Sequence, residues 1–344
     1  MSDLSSWLWS HPEDWISGVS DESTVRRLAT TESDGIPDDL IVYLAPALLT
    51  AGDPALARRA RQCMARSMES ESVQRQAGLA VSAVLTAAEV PHVFFKGSDL
   101  RYRLYDDPTQ RVSADIDLLI DPARRWVAIA ELSRIGTQSR STVQPFLEGQ
   151  THAVDLTFQG VNLDLHVTAV QLFRDYEMQR SVLDHRLAIE VDGRPWPVPD
   201  REHGVAICLV HIGRHEGAGE YIHFKHGLDV LLACRRWHDL DWARVGEIGR
   251  DWRLQRLAGA GLWSWEPAFG SSIPAEALAT LDPGRLQRYL ARRTRRLLAT
   301  PRERARGSKR LSQLLRKWAF AETWEERRAL LGELRRRVQS GKRV

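Results

Sequence analysis

No stretch of this 344-residue chain stays apolar for the roughly 18 residues that a membrane-crossing helix needs, so no span and no membrane partner are expected. Its three cysteines, Cys63, Cys208 and Cys234, are scattered, odd in number and without zinc-ligand spacing. That excludes a disulfide framework and points to a reducing, cytoplasmic setting. The opening run MSDLSSWLWSHPEDW has no basic segment followed by an apolar core, so a secretory signal is not expected. No repeat recurs at a fixed period, which argues against a solenoid or propeller. Several phosphate motifs are also missing: G-x-x-x-x-G-K-[ST], G-x-G-x-x-G after a strand, and the kinase Asp-Phe-Gly set. A P-loop enzyme, a Rossmann dinucleotide site and a protein kinase are therefore not expected.

What is present reads as a globular protein. Hydrophobic residues make up 43% and charged residues 27%, both ordinary for a packed chain. The net charge of +3 hides an asymmetry, because Arg285 to Val344 carries about 20 Lys and Arg against about 5 Asp and Glu. Two readings of that tail are open. It contacts nucleic acid or an acidic partner, or its arginines are the solvated faces of helices whose leucines recur at helical spacing.

The texture changes along the chain. Residues 1–90 read as a helical segment, with DDLIVYLAPALLTAG as one helix ending near Gly52. A second helical run follows, with Asp53 as N-cap and Pro54 at its first position, reaching Val90 as one helix or as two joined near residues 69–72. After Pro91 the pattern becomes mixed, and residues 91–200 form the expected core. HVFF is a short strand, SDLRYRLY a helix beginning at a Gly-Ser turn, and DIDLLI a second strand. PARRWVAIAELSRIG is a helix with Pro122 in its first turn and Gly136 past its end. THAVDLTFQ and VNLDLHV alternate at period two around Gly160, and IEVDGRPWPV has Asp-Gly at its turn, so two hairpins are expected. Helices are expected again over 201–214, 224–237, 241–252 and 254–265, making a helical segment of 201–270. A break over 265–274 leads into a basic helical tail, 271–344. The fold class is α+β: a small mixed β-sheet core flanked by N-terminal and C-terminal helical segments.

The chemistry concentrates in that core. Asp115 and Asp117 are two apart on a strand and so share one face of the sheet. Paired carboxylates are costly in a domain interior unless a cation neutralises them. A hard divalent ion such as Mg²⁺ is the usual answer, held by one or two carboxylates together with substrate phosphates. In VNLDLHV, Asp164 and His166 fall on the face opposite Leu163 and Leu165, so a third carboxylate is expected on a neighbouring strand. Three carboxylates can hold two metals for in-line displacement at phosphorus. Lys96-Gly97-Ser98 is the complementary half: a strand ends, a glycine lets the backbone turn closely, and a helix begins with a serine at an N-terminus suited to a phosphate. Ser98 can donate to terminal phosphates, and Lys96 can neutralise charge there or pair with one of the aspartates.

The run FFKGSDLRYRLYDDPTQRVSADIDLLI resembles the opening signature of the DNA polymerase β-like nucleotidyltransferase superfamily, and more closely a bacterial group of nucleotidyltransferase family proteins within it. The matching positions are Lys96, Gly97, Leu104, Tyr105, Arg111, Asp115, Asp117, Leu118, Leu119, Asp164, Leu165 and His166. The group's two-histidine helix and downstream aspartate resemble LVHIGRHEGAGEYIHFKHGLDVLL, where His211, His215 and Asp229 fall. The loop DDPTQRV makes the connection from Ser98 to Asp115 longer than in compact superfamily members. The resemblance covers about residues 90–235. It implies a two-Mg²⁺ site, with Mn²⁺ as a substitute ion, in which Asp115 and Asp117 bridge the metals and the triphosphate. Asp164 would hold the second metal and help deprotonate an acceptor hydroxyl, while Gly97 and Ser98 seat the β- and γ-phosphates. The reaction implied is transfer of a nucleoside monophosphate from an NTP, ATP first among them, to an acceptor that is a peptide or protein, a small molecule or an RNA end.

Other residues have more than one reading. Arg111 contacts the triphosphate or pairs with Asp106 or Asp107. His166 is a base or a hydrogen-bond partner of a carboxylate. His211 and His215, at i and i+4, have zinc-site spacing but lack the Glu of a metalloprotease helix. They fit helix packing or a pocket wall, with Asp229 as a partner. The rival reading of the whole chain is a degenerate nucleotidyltransferase fold that binds and does not catalyse. A third is a phosphotransferase that moves the γ-phosphate at the same site.

Overall fold

The computed structural model describes residues 38–50, 53–139, 142–169, 176–217, 224–269, 272–290 and 328. The first 37 residues and the expected basic helices beyond residue 290, Arg328 apart, lie outside the described residues. The chain divides into two compact units. The described residues of one fall within Asp38–Leu49 and Ala57–Ile207, which contain all the described strands; those of the other fall within Thr50–Leu56 and from Cys208 on.

Helix α1 spans Asp38–Thr50 and α2 spans Pro54–Ala87 as a single helix of 34 residues. Asp53 caps α2: its Oδ1 accepts from the N–H groups of Ala55 and Leu56, at 2.8 and 3.0 Å. These are orphan donors that a helix start must satisfy. Strand β1 (His92–Phe94) leads into α3 (Gly97–Leu104), and β2 is Asp115–Ile120. The loop between them, DDPTQRV, contains a 3₁₀ turn at Pro108–Gln110, with Asp107 accepting from Thr109 N–H. A second 3₁₀ turn at Pro122–Arg124, capped by Asp121, precedes α4 (Arg125–Arg134). Two short elements follow that the sequence pattern did not reveal, β3 (Gln138–Ser139) and α5 (Gln144–Leu147). They have too few residues to show a period.

Strands β4 (Ala153–Phe158) and β5 (Val161–His166) form the first expected hairpin. Helix α6 (Tyr176–Asp184) is another element that the pattern missed. Strands β6 (Leu187–Val191) and β7 (Arg194–Val198) form the second hairpin as a separate two-stranded sheet. Both hairpin turns take positive φ at both central residues, Gln159–Gly160 and Asp192–Gly193, the type I′ geometry that matches strand twist. Helices α7 (Arg201–Gly217), α8 (Phe224–Arg236), α9 (Trp242–Asp251), α10 (Gln255–Phe269) and α11 (Ala275–Thr280) complete the described chain. Helix α10 runs past Trp265, where the break was expected to begin. Within the second unit, α7 and α10 meet backbone to backbone: a Cβ on Gly213 would lie 1.9 Å from Leu257 O, and one on Gly261 2.1 Å from Leu209 O.

The main sheet has the order β1-β2-β5-β4-β3. Strand β2 pairs antiparallel with β1 and parallel with β5, and the remaining pairs are antiparallel. Alternation divides its faces. Ile116, Leu118, Ile120, Leu163, Leu165, Val154, Leu156 and Phe158 join one core with Leu85 of α2 and Leu132 of α4. The opposite face carries the polar residues of the same strands. Asp200 caps α7 through His203 N–H (2.7 Å), and its Oδ1 also meets His203 Nδ1 at 2.7 Å. His203 Nε2 in turn meets Ser181 Oγ at 2.8 Å, fastening α6 to the start of α7.

Trp196 links this core to the turn after β1. It is fully buried, stacks on Phe94 at 3.7 Å between centroids, and donates from Nε1 to Ser98 O at 3.1 Å. Its ring occupies the space beside Gly78 of α2, where a Cβ would lie 2.3 Å from Cη2. Replacing a mid-helix glycine by alanine ordinarily gains up to about 1 kcal/mol. Here the fixed indole has no room to move, so Gly78→Ala is expected to cost about 1–3 kcal/mol and to lower the calorimetric melting temperature by several degrees.

Candidate active site

The turn between β1 and α3 is built around Asp117 of the adjacent strand. Phe95 N–H donates to Asp117 O at 3.2 Å, and Asp117 N–H donates to Ser98 Oγ at 3.1 Å. Lys96 Nζ pairs with Asp117 Oδ1 at 2.7 Å. The expectation that glycine makes the turn is corrected here. Lys96 takes the positive φ (52°, with ψ −127°), a conformation that costs a non-glycine residue on the order of 1–3 kcal/mol. Gly97 serves a different need, close approach: a Cβ there would lie 3.0 Å from Ser113 Oγ and 3.4 Å from Arg111 Nη1. The helix's first N–H groups are also partly engaged, since Ser98 N–H bonds Phe95 O and Asp99 N–H bonds Lys96 O, both at 3.2 Å.

Parallel pairing of β2 with β5 sets Asp117 directly beside Asp164 and Asp115 beside Asn162. Antiparallel pairing of β4 with β5 sets Asp155 on the other side of Asp164. Asp155 is a member of this acidic face that sequence reading missed. Its signal was available: counting back from the two-residue turn at Gln159–Gly160 gives the 155–164 pair. Ligand atoms of Asp117, Asp164 and His166 lie within 4.8 Å of one another, a spacing that a metal ion can fill. Asp115 falls outside that group; it is partly exposed, and its Oδ1 accepts from Ser113 Oγ at 3.3 Å.

The electrostatics follow from this packing. Burial works to raise the Asp117 carboxyl, but the Lys96 ammonium bonded to it outweighs burial and holds the group well below the usual carboxylate range. Asp164 moves the other way, up to about 7, through burial and then the charges of Asp115, Asp117 and Asp155. Burial lowers His166, favouring a neutral ring. His166 Nε2 is 3.3 Å from Asp117 Oδ1 but not aligned to bond it, and both ring nitrogens are buried without a hydrogen-bond partner. Carboxylates that repel one another, beside a neutral imidazole with orphaned nitrogens, form a donor set that a divalent cation can neutralise. The chemistry such a constellation can support is displacement at phosphorus.

The remaining candidates are placed as follows. Ser98 is buried and its Oγ is occupied with the Asp117 backbone. Arg111 is buried, with Nη1 donating to Val112 O at 2.7 Å, and flanks Gly97. His211 and Asp229 belong to the second unit. There the His211 ring lies 4.8 Å from that of His226, whose Nδ1 is 3.8 Å from Asp229 Oδ2. His226 is thus a neighbour of this pair that sequence reading passed over, and the side chain of His215 lies outside the described residues.

A raised carboxyl has a definite sign in the metal-free protein. Asp164 is charged in the unfolded chain above pH 4 but resists ionisation in the fold until about pH 7, so its contribution to stability falls as pH rises across that window. Asp164→Asn is expected to raise the melting temperature at pH 8 in EDTA and to change it little near pH 4. The gain is on the order of 1–2 kcal/mol, since solvent screens a half-buried group.

Comparison with known proteins adds the following. No curated protein matches the chain significantly. Among solved structures, the antibiotic-resistance factor ANT(2'')-Ia is similar at 16% identity and a TM-score of 0.39, covering 53% of this chain and 92% of that one. A profile of a family described as uncharacterised nucleotidyltransferase matches residues 43–270, a span that holds the whole sheet, the Lys96–Ser98 turn and all the carboxylates described above. With about two thirds of its length matched, the chain belongs to this uncharacterised nucleotidyltransferase family.

Proposed function

We propose that the chain is a Mg²⁺-dependent nucleotidyltransferase that moves a nucleoside monophosphate from an NTP, with ATP as the first donor to test, to an acceptor hydroxyl and releases pyrophosphate. The observation that carries this reading is the Asp117–Asp164–His166 group, a set of mutually close metal donors beside a turn that ends at a helix N-terminus. The acceptor oxygen forms a bond to the α-phosphorus, the bond from that phosphorus to the β-bridging oxygen breaks, and the acceptor proton passes to a base. A divalent cation bound by Asp117, Asp164 and His166, with Asp115 on the substrate side, would polarise the α-phosphate and neutralise charge on the leaving pyrophosphate.

The chain's own residues supply the rest. Lys96 keeps Asp117 ionised and fixes its carboxylate direction. Asp164, left ionised once a cation offsets the neighbouring carboxylates, orients the acceptor hydroxyl and takes its proton. His166 presents a neutral nitrogen toward the ion. Gly97 keeps the turn open for the phosphates, with Arg111 beside it. The rival reading, a degenerate binding fold, is disfavoured by the charge balance. Four carboxylates crowd one face while Lys96 is ion-paired to Asp117, an arrangement that gains nothing in a protein that never binds a cation.

Incubation with Mg²⁺ and NTP labelled separately at the α and γ positions separates the readings. Label from the α position on an acceptor, or on the protein itself, is expected; transfer of γ label would instead mean a phosphotransferase. Absence of any Mg²⁺-dependent NTP binding by calorimetry would leave the binding module. Asp117→Asn is expected to lower α-label transfer by roughly two to three orders of magnitude. His166→Gln should lower it by about 10–100-fold, with weakened Mn²⁺ affinity, and circular dichroism should be unchanged in both variants.

A further inference from the structure

Away from the acidic face of the sheet, a second group of reactive side chains lies where α6 meets the start of α7. Asp200 Oδ1 meets His203 Nδ1 at 2.7 Å, and His203 Nε2 meets Ser181 Oγ at 2.8 Å. All three residues belong to one compact unit. Burial works to raise the Asp200 carboxyl, but bonds from the His203 ring and backbone N–H outweigh it and hold the group below its ordinary range. An ionised carboxylate at that distance accepts from an N–H, so the His203 ring carries its proton on Nδ1. Nε2 is then a bare lone pair, and the Ser181 hydroxyl donates to it. Nucleophile, base and orienting acid follow one another in the order that activates a serine for attack.

Burial divides the roles. His203 is fully buried and Asp200 is half-buried. Ser181 is partly exposed, on a stretch of α6 and its end where Arg180, Asp184 and His185 face solvent. The base is shielded while the hydroxyl can be reached. The ring is also held in place. Its backbone N–H bonds Asp200 Oδ1 at 2.7 Å, and the His185 ring stacks on it at 5.0 Å between centroids. His185 Nδ1 meets Ser181 O at 2.9 Å, which closes the group. Capping α7 needs only the Asp200 carboxylate and a backbone N–H. It does not call for a buried imidazole aimed at a serine on another helix.

We propose that Ser181 is a second nucleophile of this chain, with His203 as its general base and Asp200 as a positioning residue, and that it takes an acyl group from a small ester. The site is separate from the proposed nucleotidyl transfer and stands or falls without it. Ser181 Oγ bonds to the ester's carbonyl carbon while its proton passes to His203 Nε2. The ester C–O bond then breaks, and the leaving oxygen takes that proton. The products are an acyl-serine and a free alcohol, with the ring returned to its neutral form.

The test treats the full chain, without nucleotide or metal, with p-nitrophenyl acetate and maps acetyl adducts by peptide mass spectrometry. Ser133 is the internal control, exposed on α4 with Oγ donating to Ile129 O at 2.7 Å. The adduct at Ser181 is expected to form about 100-fold faster than at Ser133, the scale of general-base assistance. Asp200→Asn keeps an oxygen for the cap but no longer fixes the tautomer, and should slow the adduct by about 100-fold or more. Nitrogen-15 imidazole spectra give a second readout. They should show His203 protonated on Nδ1 in wild type and on Nε2 in Asp200→Asn. Acetylation of Ser181 no faster than Ser133, or at an unchanged rate in folded Asp200→Asn, would overturn the proposal. If Asp200→Asn does not fold, wild type decides alone: a His203 ring protonated on Nε2 overturns it, as does equal labelling of the two serines.

Discussion

Asp117 is held from three directions by one short segment, and the geometry of the candidate site follows from that grip. Its carbonyl accepts from Phe95, its N–H donates to Ser98 Oγ, and its carboxylate meets Lys96 Nζ. Strand, turn and helix are thereby locked to the residue that parallel pairing places beside Asp164. The cost of setting carboxylates abreast is met on the other face of the same strands. Ile116, Leu118, Ile120, Leu163 and Leu165 are all buried, and five such side chains contribute on the order of 10 kcal/mol. Repulsion between the acids is a matter of a few kcal/mol. A slip of one residue would send the acids into the apolar core, so the hydrophobic face fixes a register that the charges alone would not choose.

The strained residue and the charged residue of the turn are the same. Lys96 is held at positive φ although a glycine follows it, and the ammonium that this backbone presents reaches Asp117. Glycine at position 96 would relax the backbone and leave a buried carboxylate without its counter-ion. Glycine at 97 is demanded by Ser113 and Arg111, which leave little room for a Cβ. The two positions look interchangeable in a Lys-Gly-Ser string but answer to different physical demands, one to charge and the other to volume.

That distinction marks the limit of what the sequence revealed. Elements with their own punctuation were legible: Asp53-Pro54 for α2, Asp121-Pro122 before α4, Asp192-Gly193 and Gln159-Gly160 for the hairpins. Elements without a period, such as β3 and α5, were not. Asp115, Asp117 and Asp164 could be assigned to one face by alternation. Asp155 needed the hairpin register, and the partners of Ser181 needed the packing of α6 against the start of α7, which no string of letters supplies. Ser98 was read as a phosphate donor, but its hydroxyl is also tied to the Asp117 backbone, a contact that depends on how β1 and β2 lie side by side.

The separation of charge explains why neither half of the site stands alone. The strands offer an excess of carboxylates, which raises Asp164, and the turn is flanked by the buried guanidinium groups of Arg101 and Arg111, the first with an unpartnered nitrogen. A bare anion would meet the turn's cations and the sheet's acids together, and a bare cation would meet the same opposition reversed. A metal–polyphosphate complex carries both signs in the order the site presents them. Under the proposed function, binding of either part strengthens the hold on the other, and by thermodynamic reciprocity the two couplings are equal. Under the proposed reading, selectivity for a metal-bound nucleotide over free metal or free phosphate comes from this opposed pair of surfaces. It does not need a deep pocket for the base.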